Sequence, residues 1–149
     1  MGSVVSGATG CGSNQAQSPG CQQPQRQQAQ FPNTHLLPNA ATPSYITDPP
    51  TSGPHLTPAV INPVYDEPLA PAVQVGIIES GRVIVHYRDP AARSSLVALA
   101  GGSVVVAPNP SVPDAVVLSG WLMLQRCATV EAVTSKTVSQ FLAARPDPG

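Results

Sequence analysis

The spacing of apolar residues divides this chain into an irregular first half and a more regular second half. Residues 83–87 read Val-Ile-Val-His-Tyr, a β-branched and aromatic run that predicts a strand. Residues 103–107 predict a second strand, and residues 115–125 predict a third that bends at Ser119-Gly120. Residues 75–78 are also apolar, and they fit either a hairpin partner of the first strand or a short turn of helix.

Two helices are predicted between and after these strands. Asp89 can cap free backbone amides and Pro90 suits a first helical position, so a helix should run from here through Leu96 and Leu99. Thr129 is predicted to cap the last helix, whose apolar positions lie largely on one face: Val130, Val133, Val138, Phe141 and Leu142. The resulting order, β-α-β-β-α, indicates an α+β fold with a small, mostly antiparallel sheet over residues 73–145.

The beginning of the chain has a different composition. Eight glutamines fall between Gln15 and Gln30, and Arg26 is the only Asp, Glu, Lys or Arg before Asp48. A Gln/Gly/Ser-rich segment with so few apolar residues buries too little surface to offset the entropy that ordering costs. We therefore predict that residues 1–30 are a disordered tether.

Proline dominates the next segment, residues 31–71, which we call the proline-rich wrap. It contains ten prolines, and each fixes its own backbone angle and restricts the residue before it, so helix and central strand are disfavoured. Apolar residues nevertheless recur along it: Leu36, Leu37, Tyr45, Ile46, Val60, Ile61, Val64 and Tyr65. They favour an ordered, irregular segment that packs over the core of a single domain spanning residues 31–145.

Charge limits the classes of partner. The chain has seven Lys and Arg residues and a net charge of -1, which is too little positive charge for binding a nucleic acid or an anionic membrane surface. The longest apolar run, residues 115–124, is interrupted by Ser119 and Gly120, and a membrane span needs about 20 apolar residues. Membrane attachment is therefore expected only through an N-terminal anchor that this sequence does not display.

The three cysteines are Cys11, Cys21 and Cys127, and they form no Cys-x-x-Cys pair of the kind typical of zinc sites. One disulfide can form in an oxidising compartment, and the sequence leaves all three pairings open. Cys127 ends a predicted strand, and we interpret it as a small buried hydrophobic residue.

Several short motifs carry a resemblance to a known family. They are Thr-His-Leu-Leu-Pro at residues 34–38, Pro-Pro-Thr-Ser-Gly-Pro-His at residues 49–55 and Tyr-Asp-Glu-Pro at residues 65–68. Together with weaker matches in the later strands, these motifs resemble a bacterial domain of unknown function, number 3105, over roughly residues 31–144. The resemblance implies an extracytoplasmic domain, often placed behind one N-terminal membrane helix.

The resemblance also implies a site, from which this chain departs. The family pattern His-Ser-Leu-Glu-His-Gly corresponds here to Gly-Ile-Ile-Glu-Ser-Gly, so Gly76 and Ser80 replace two histidines. A site that in relatives gathers four histidines and a carboxylate keeps His35, His55 and Glu79. Imidazole and carboxylate groups are common ligands of copper and zinc, so these three residues are the candidate metal site. Because two of the family's histidines are replaced, the favoured interpretation for this chain is that both remaining histidines are structural and donate hydrogen bonds to loop carbonyls.

Other residues complete the candidate site. Ser52, in the turn before His55, and Tyr65 are predicted to contact a ligand. A nucleophilic role for Ser52 is not expected, because the chain has no Gly-x-Ser-x-Gly elbow and turn chemistry explains Ser-Gly-Pro. His86 shares a strand face with Arg82 and Ile84, which predicts a solvent-facing side chain without a ligand role.

The absence of a complete catalytic set predicts a non-enzymatic domain, and the family resemblance implies that it is extracytoplasmic, in the cell envelope. The domain would be membrane-tethered and would bind a protein partner or a small ligand through the His-containing wrap. The alternative is a metal-binding (copper or zinc) or redox protein, in which His35, His55 and Glu79 hold a transition metal.

Overall fold

The computed structural model describes residues 20–148. Within this range it contains three α-helices and one sheet of five strands, which confirms the predicted α+β class. The strands are β1 (Gln25–Arg26), β2 (Val83–Tyr87), β3 (Val104–Pro108), β4 (Val116–Gly120) and β5 (Met123–Cys127). The α-helices are α1 (Pro71–Glu79), α2 (Arg93–Leu96) and α3 (Ser135–Ala144), and single turns of 3-10 helix, Pro90–Ala92 and Val97–Leu99, flank α2.

The sheet is mixed, with the spatial order β1-β5-β4-β2-β3. Among the described strands, three of the four pairings are antiparallel, and β2 and β3 run parallel, so the prediction of a mostly antiparallel sheet is confirmed. Parallel neighbours need a crossover connection, and the helical segment around α2 supplies it. Asp89 starts this segment as predicted, because its carboxylate accepts a hydrogen bond from Ala91 N.

Both faces of the sheet are covered. Val83 and Val85 of β2 point to one face and pack with α2 and α3, including Phe141. Ile84 points to the opposite face, where it packs with α1 and with apolar residues of the wrap. The prediction that His86 faces solvent is therefore wrong: this side chain lies on the α1 side of a central strand and is 1% exposed.

Residues 115–125 form a hairpin rather than one bent strand. β4 and β5 pair in antiparallel register with Gly120 opposite Met123, so Trp121 and Leu122 make a two-residue turn. Leu122 has a φ of 54°, in the left-handed region that tight hairpin turns use. The predicted bend is wrong because the reversal falls on two apolar residues, which carry no turn signal.

The helices agree with the predictions in type but differ in one boundary. Residues 75–78 belong to α1 and not to a hairpin. The cap of α3 is Thr134, whose hydroxyl accepts from Thr137 N while the Thr137 side chain accepts from Thr134 N. The predicted cap, Thr129, lies earlier and accepts from Ala132 N. Thr129 thus caps a turn that precedes the helix. The reciprocal hydrogen bonds between Thr134 and Thr137 fix the start of α3.

The amino-terminal prediction needs a correction. Residues 1–19 of the predicted tether lie outside the described residues. Residues 20–30 belong to the fold, since Gln25 and Arg26 pair with β5 and Cys21 is disulfide-bonded to Cys127. Cys127 is buried as predicted, but it is a disulfide partner rather than an isolated hydrophobic residue. Composition did not indicate this segment, because main-chain hydrogen bonds and a covalent bond hold it.

The proline-rich wrap runs over the α1 face and along the β3 edge of the sheet. Val64 forms a parallel bridge to Val106, with Val106 N donating to Pro63 O and Tyr65 N donating to Val106 O. The wrap thereby covers the edge of β3, which is otherwise open to unwanted strand pairing. Within residues 20–148, every helix falls short of the length and apolar character that a bilayer crossing needs.

Candidate metal centre

The Pro-Pro-Thr-Ser-Gly-Pro-His motif forms a buried turn in the wrap. Residues 49–53 are buried, and the turn is hydrogen-bonded to two other parts of the chain. Thr51 O accepts from Leu122 N in the β4–β5 hairpin turn. Ser52 Oγ accepts from Gln30 N over 2.8 Å. The turn that carries His55 is therefore fixed to the core before any ligand binds.

Gly53 gives this turn its shape. Its φ is +113°, and a Cβ at this position would lie 3.1 Å from the side chain of Gln30 and 3.2 Å from the ring of Tyr45, so only glycine fits without strain. The carbonyl oxygen of Gly53 lies 2.9 Å from His55 Nδ1. Because a carbonyl only accepts, Nδ1 carries the proton, and Nε2 of the neutral ring keeps its lone pair.

His35 reaches the site through a short stretch of main-chain pairing. Leu36 N donates to His55 O over 2.7 Å, and His55 N donates to Thr34 O over 2.9 Å. The two imidazole rings meet edge to face, with centroids 4.8 Å apart and an interplanar angle of 77°. His35 is exposed whereas His55 is buried, so the pair extends from the surface to the interior.

Glu79 is the last residue of α1, and the wrap approaches this helix closely. Leu56 N donates to Ala72 O over 3.1 Å, and a Cβ at Gly76 would lie 1.8 Å from Leu56 O. No side chain fits at position 76 with the present backbone. The position to which the family resemblance assigns a histidine therefore serves close packing in this chain.

The ligand atoms of His35, His55 and Glu79 all lie within 4.8 Å of one another. His55 Nε2 is 3.8 Å from a carboxylate oxygen of Glu79, which is too far for a hydrogen bond. This nitrogen is buried and has no hydrogen-bond partner among the described residues. An unpartnered buried polar atom costs free energy, and an ion shared with the other two groups would supply the missing interaction.

The cluster is close in its dimensions and surroundings to a transition-metal site. The three ligand atoms lie at most 4.8 Å apart, so an ion central to them would be within about 2.8 Å of each, and side-chain shifts of less than about 1 Å would bring all three to the bond length of about 2.0–2.2 Å. The cluster lies at the C-terminal end of α1, where the helix dipole favours a cation. The Gly53 carbonyl at His55 Nδ1 is the orienting partner typical of metal-binding histidines.

Comparison with known families gives a match over most of the chain. Residues 38–148 match the family model described as a protein of unknown function, DUF3105. The chain belongs to this family. His55 and Glu79 lie inside the matched part of the DUF3105 domain, and His35 lies just before it. No curated protein and no solved structure matches the chain.

Two further predicted binding residues of this DUF3105 domain hold the wrap in place. Ser52 is 3% exposed, and its hydroxyl accepts from Gln30 N. Tyr65 packs against the core on the α1 side, and its hydroxyl accepts from Asn62 N. Both side chains therefore have structural partners, and their contact with a ligand stays a prediction.

Sequence reasoning missed Gln30, which anchors the wrap of the DUF3105 domain. Besides its main-chain bond to Ser52, its side-chain Nε2 donates to Ser44 O and its Oε1 accepts from Ile46 N. Gln30 is one of eight glutamines in the segment predicted as disordered. Nothing in its sequence neighbourhood distinguishes it from the others.

His86 belongs to a second buried polar group, within the sheet. Its Nε2 lies 2.8 Å from Ser119 Oγ, and its Nδ1 lies 3.2 Å from the amide nitrogen of Asn109. The Asn109 amide oxygen accepts from Ser111 N, so the amide nitrogen donates to Nδ1, and Nε2 donates to Ser119. A nucleophilic serine needs the reverse polarity, with its hydroxyl donating to histidine. Burial lowers the pKa of His86 to about 3, so the ring is neutral at physiological pH and has a structural role.

Proposed function

We propose that this domain binds one transition-metal ion, copper or zinc, through His35, His55 and Glu79. The observation that carries the proposal is the convergence of the three ligand atoms within 4.8 Å around the buried, unpartnered Nε2 of His55. Two imidazoles with one carboxylate suit zinc or copper better than calcium or magnesium, which prefer oxygen ligands. The fixed turn holds His55 in place beforehand, which lowers the entropic cost of binding.

Metal titration of the wild-type protein and three variants tests this proposal. We expect the metal-free wild-type protein to bind one equivalent of Zn(II) or Cu(II), measured by native mass spectrometry and calorimetry. His35→Ala and Glu79→Gln each remove one ligand, and each should weaken binding by at least about tenfold. Glu67→Gln is the matched control, because Glu67 is exposed and outside the cluster, and it should bind as the wild type does.

The choice of variants separates metal binding from folding. His35 is exposed and the side chain of Glu79 is 36% exposed, so their replacement should leave the thermal transition unchanged in the presence of a chelator. A wild-type protein that takes up no ion would contradict the proposal. So would His35→Ala and Glu79→Gln proteins with the affinity of the Glu67→Gln control.

The proposal includes an extracytoplasmic location in the cell envelope, with the domain tethered to the membrane. The supporting observation is the disulfide between Cys21 and Cys127, because disulfides persist in oxidising compartments and are rare in the cytosol. Thiol alkylation of intact cells, followed by fractionation and mass spectrometry, tests this location. We expect both cysteines to be protected until reductant is added and the protein to be recovered with the envelope. Free thiols at both positions would contradict it.

A second candidate function is the non-enzymatic binding of a protein partner by the wrap. Four large apolar side chains of the wrap are exposed: Phe31 (81%), Leu37 (79%), Ile46 (57%) and Val60 (71%). Exposed apolar residues concentrated in one segment are typical of interaction surfaces. Affinity purification from membrane extracts tests this with the Phe31→Ser, Leu37→Ser double variant. Recovery of the same partners by variant and wild type would count against it.

A further inference from the structure

Three protein ligands leave a metal ion at this centre with an incomplete coordination shell. Structural zinc sites take four protein ligands, whereas sites with three keep a position for water or for an added ligand. Within residues 20–148, the cluster consists of His35, His55 and Glu79, with no further His, Cys, Asp or Glu. The identity of the remaining ligand therefore decides what kind of centre this is.

The two serines nearest to the cluster in sequence, Ser52 and Ser80, already have hydrogen-bond partners. The hydroxyl of Ser52 accepts from a main-chain amide, and the hydroxyl of Ser80, next to Glu79, donates to a main-chain carbonyl. His86, the third histidine of the chain, is buried between Ser119 and Asn109. These groups do not supply a fourth ligand without losing a hydrogen bond that they make now.

The centre faces solvent on one side. His55 lies on the buried side of the cluster and is 1% exposed, while His35 is exposed and the side chain of Glu79 is 36% exposed. The turn that carries His55 and the helix α1 fill the protein side. Coordination positions that the three residues do not occupy would therefore point toward the surface, where small molecules have access.

Charge decides which small ligand completes the shell. Two neutral imidazoles and one carboxylate around a divalent cation leave a net charge of about +1. Uncompensated charge is costly in a partly buried site, and a monoanion removes it. A neutral ligand, such as water, leaves it unchanged.

We infer that the metal-loaded centre has an open, solvent-facing coordination position that binds small monodentate anions. This inference rests on the proposed function and adds a substrate class to it. A centre of this kind exchanges ligands with the solution, unlike a closed structural site, which only holds the fold together.

The visible absorption of cobalt(II), which can replace zinc, depends on the number and type of its ligands. We expect cobalt(II) added to the metal-free, full-length protein to give the absorption of a protein-bound ion. Titration with sodium azide should then shift it in a saturable manner. Sodium perchlorate at the same ionic strength is the control, because perchlorate coordinates weakly, and it should leave the spectrum unchanged.

The outcomes distinguish a failure of metal binding from a failure of the open coordination position. Absence of a cobalt spectrum in the wild-type protein would overturn the proposed function itself. A cobalt spectrum that azide does not change, or that perchlorate changes equally, would overturn only the open position. An intense thiolate-to-cobalt absorption that disappears in Cys11→Ser would also overturn it, because Cys11, which lies outside the described residues, would then be the fourth ligand.

Discussion

Because His86 is buried, we predict that the free energy of unfolding falls markedly in mild acid. Burial lowers its pKa to about 3 in the folded protein, whereas histidine in an unfolded chain titrates near 6.5. Between these values the unfolded state binds a proton that the folded state does not. The stabilisation is therefore complete above pH 6.5 or so and is lost as the pH falls toward 3. Protonation would also turn Nδ1 into a donor that faces the donor amide of Asn109.

The magnitude follows from the difference between the two pKa values. One pKa unit corresponds to about 1.4 kcal/mol, so the full difference amounts to roughly 5 kcal/mol in the free energy of unfolding, and roughly 3 kcal/mol is already lost at pH 4.5. Domains of this kind are stable by about 5–15 kcal/mol in total. The protonation of one side chain would thus remove a large part of the stability in mild acid.

Urea unfolding followed by tryptophan fluorescence measures this effect. Trp121 is the single tryptophan and is 8% exposed, so its emission changes on unfolding. The reference variant is His86→Gln, whose amide can still donate to Ser119 but cannot be protonated. It should be less stable than the wild type at pH 7.5 by about 1–3 kcal/mol, because the Asn109 amide loses its acceptor.

The test compares how much stability each protein loses between pH 7.5 and 4.5. We expect the wild type to lose about 3 kcal/mol more than His86→Gln over this range. The comparison cancels the groups that both proteins share, including His35, His55 and the carboxylates. Equal losses in the two proteins would refute the reasoning, because the buried ring would then not resist protonation. NMR gives a second readout, since the His86 ring resonances should not titrate in this range.

Three further predictions concern the constraints around the site. Replacing Cys21 and Cys127 by serine should lower the free energy of unfolding by about 4–5 kcal/mol, because the disulfide closes a loop with a sequence separation of 106; an unchanged urea midpoint would contradict this. Gly76→Ala should cost about 2 kcal/mol or more, because its Cβ would lie 1.8 Å from Leu56 O, while the exposed control Ser94→Ala should stay within about 0.5 kcal/mol. Free zinc at about 100 times its dissociation constant should add about 2.7 kcal/mol, and a thermal transition that zinc does not raise would argue against binding by the folded state.

The elements that the sequence predicts well are those with local signals. The β-branched run of β2 and the pair Asp89-Pro90 each specify a structure through adjacent residues. β1 has two residues and no apolar alternation. It forms because β5 offers it hydrogen bonds and because the nearby Cys21 is bonded to Cys127. Pairing between distant segments of this kind leaves no trace in local composition.

His86 illustrates where an argument from strand alternation fails. It shares a face with Ile84 and Arg82, and the charge of Arg82 favours a solvent-facing assignment for that face. The alternation is correct, but α1 and the wrap cover this face while α2 and α3 cover the other. Both faces of the central strand are therefore buried, as in sheets with helices on each side, and Arg82 lies just before the strand begins.

The sequence could nominate His35, His55 and Glu79 through the family resemblance, but it could not give their separation. That separation depends on hydrogen bonds between segments far apart in the chain. Gln30 holds the turn before His55, and main-chain pairing brings His35 beside it. Neither hydrogen bond can be inferred from residue type, because glutamine side chains and main-chain groups form similar hydrogen bonds at many protein surfaces.

The residues at positions 76 and 80 explain why the candidate cluster of this chain has three members. The resemblance assigns histidine to both positions in relatives. Here Gly76 allows Leu56 O to approach α1, and the Ser80 hydroxyl donates to Ile77 O and accepts from Arg82 at the end of the helix. The remaining imidazoles therefore come from the wrap and the carboxylate from α1, so a bound ion would join these two elements. Any change that separates Leu56 from α1 should consequently weaken metal affinity and lower stability together.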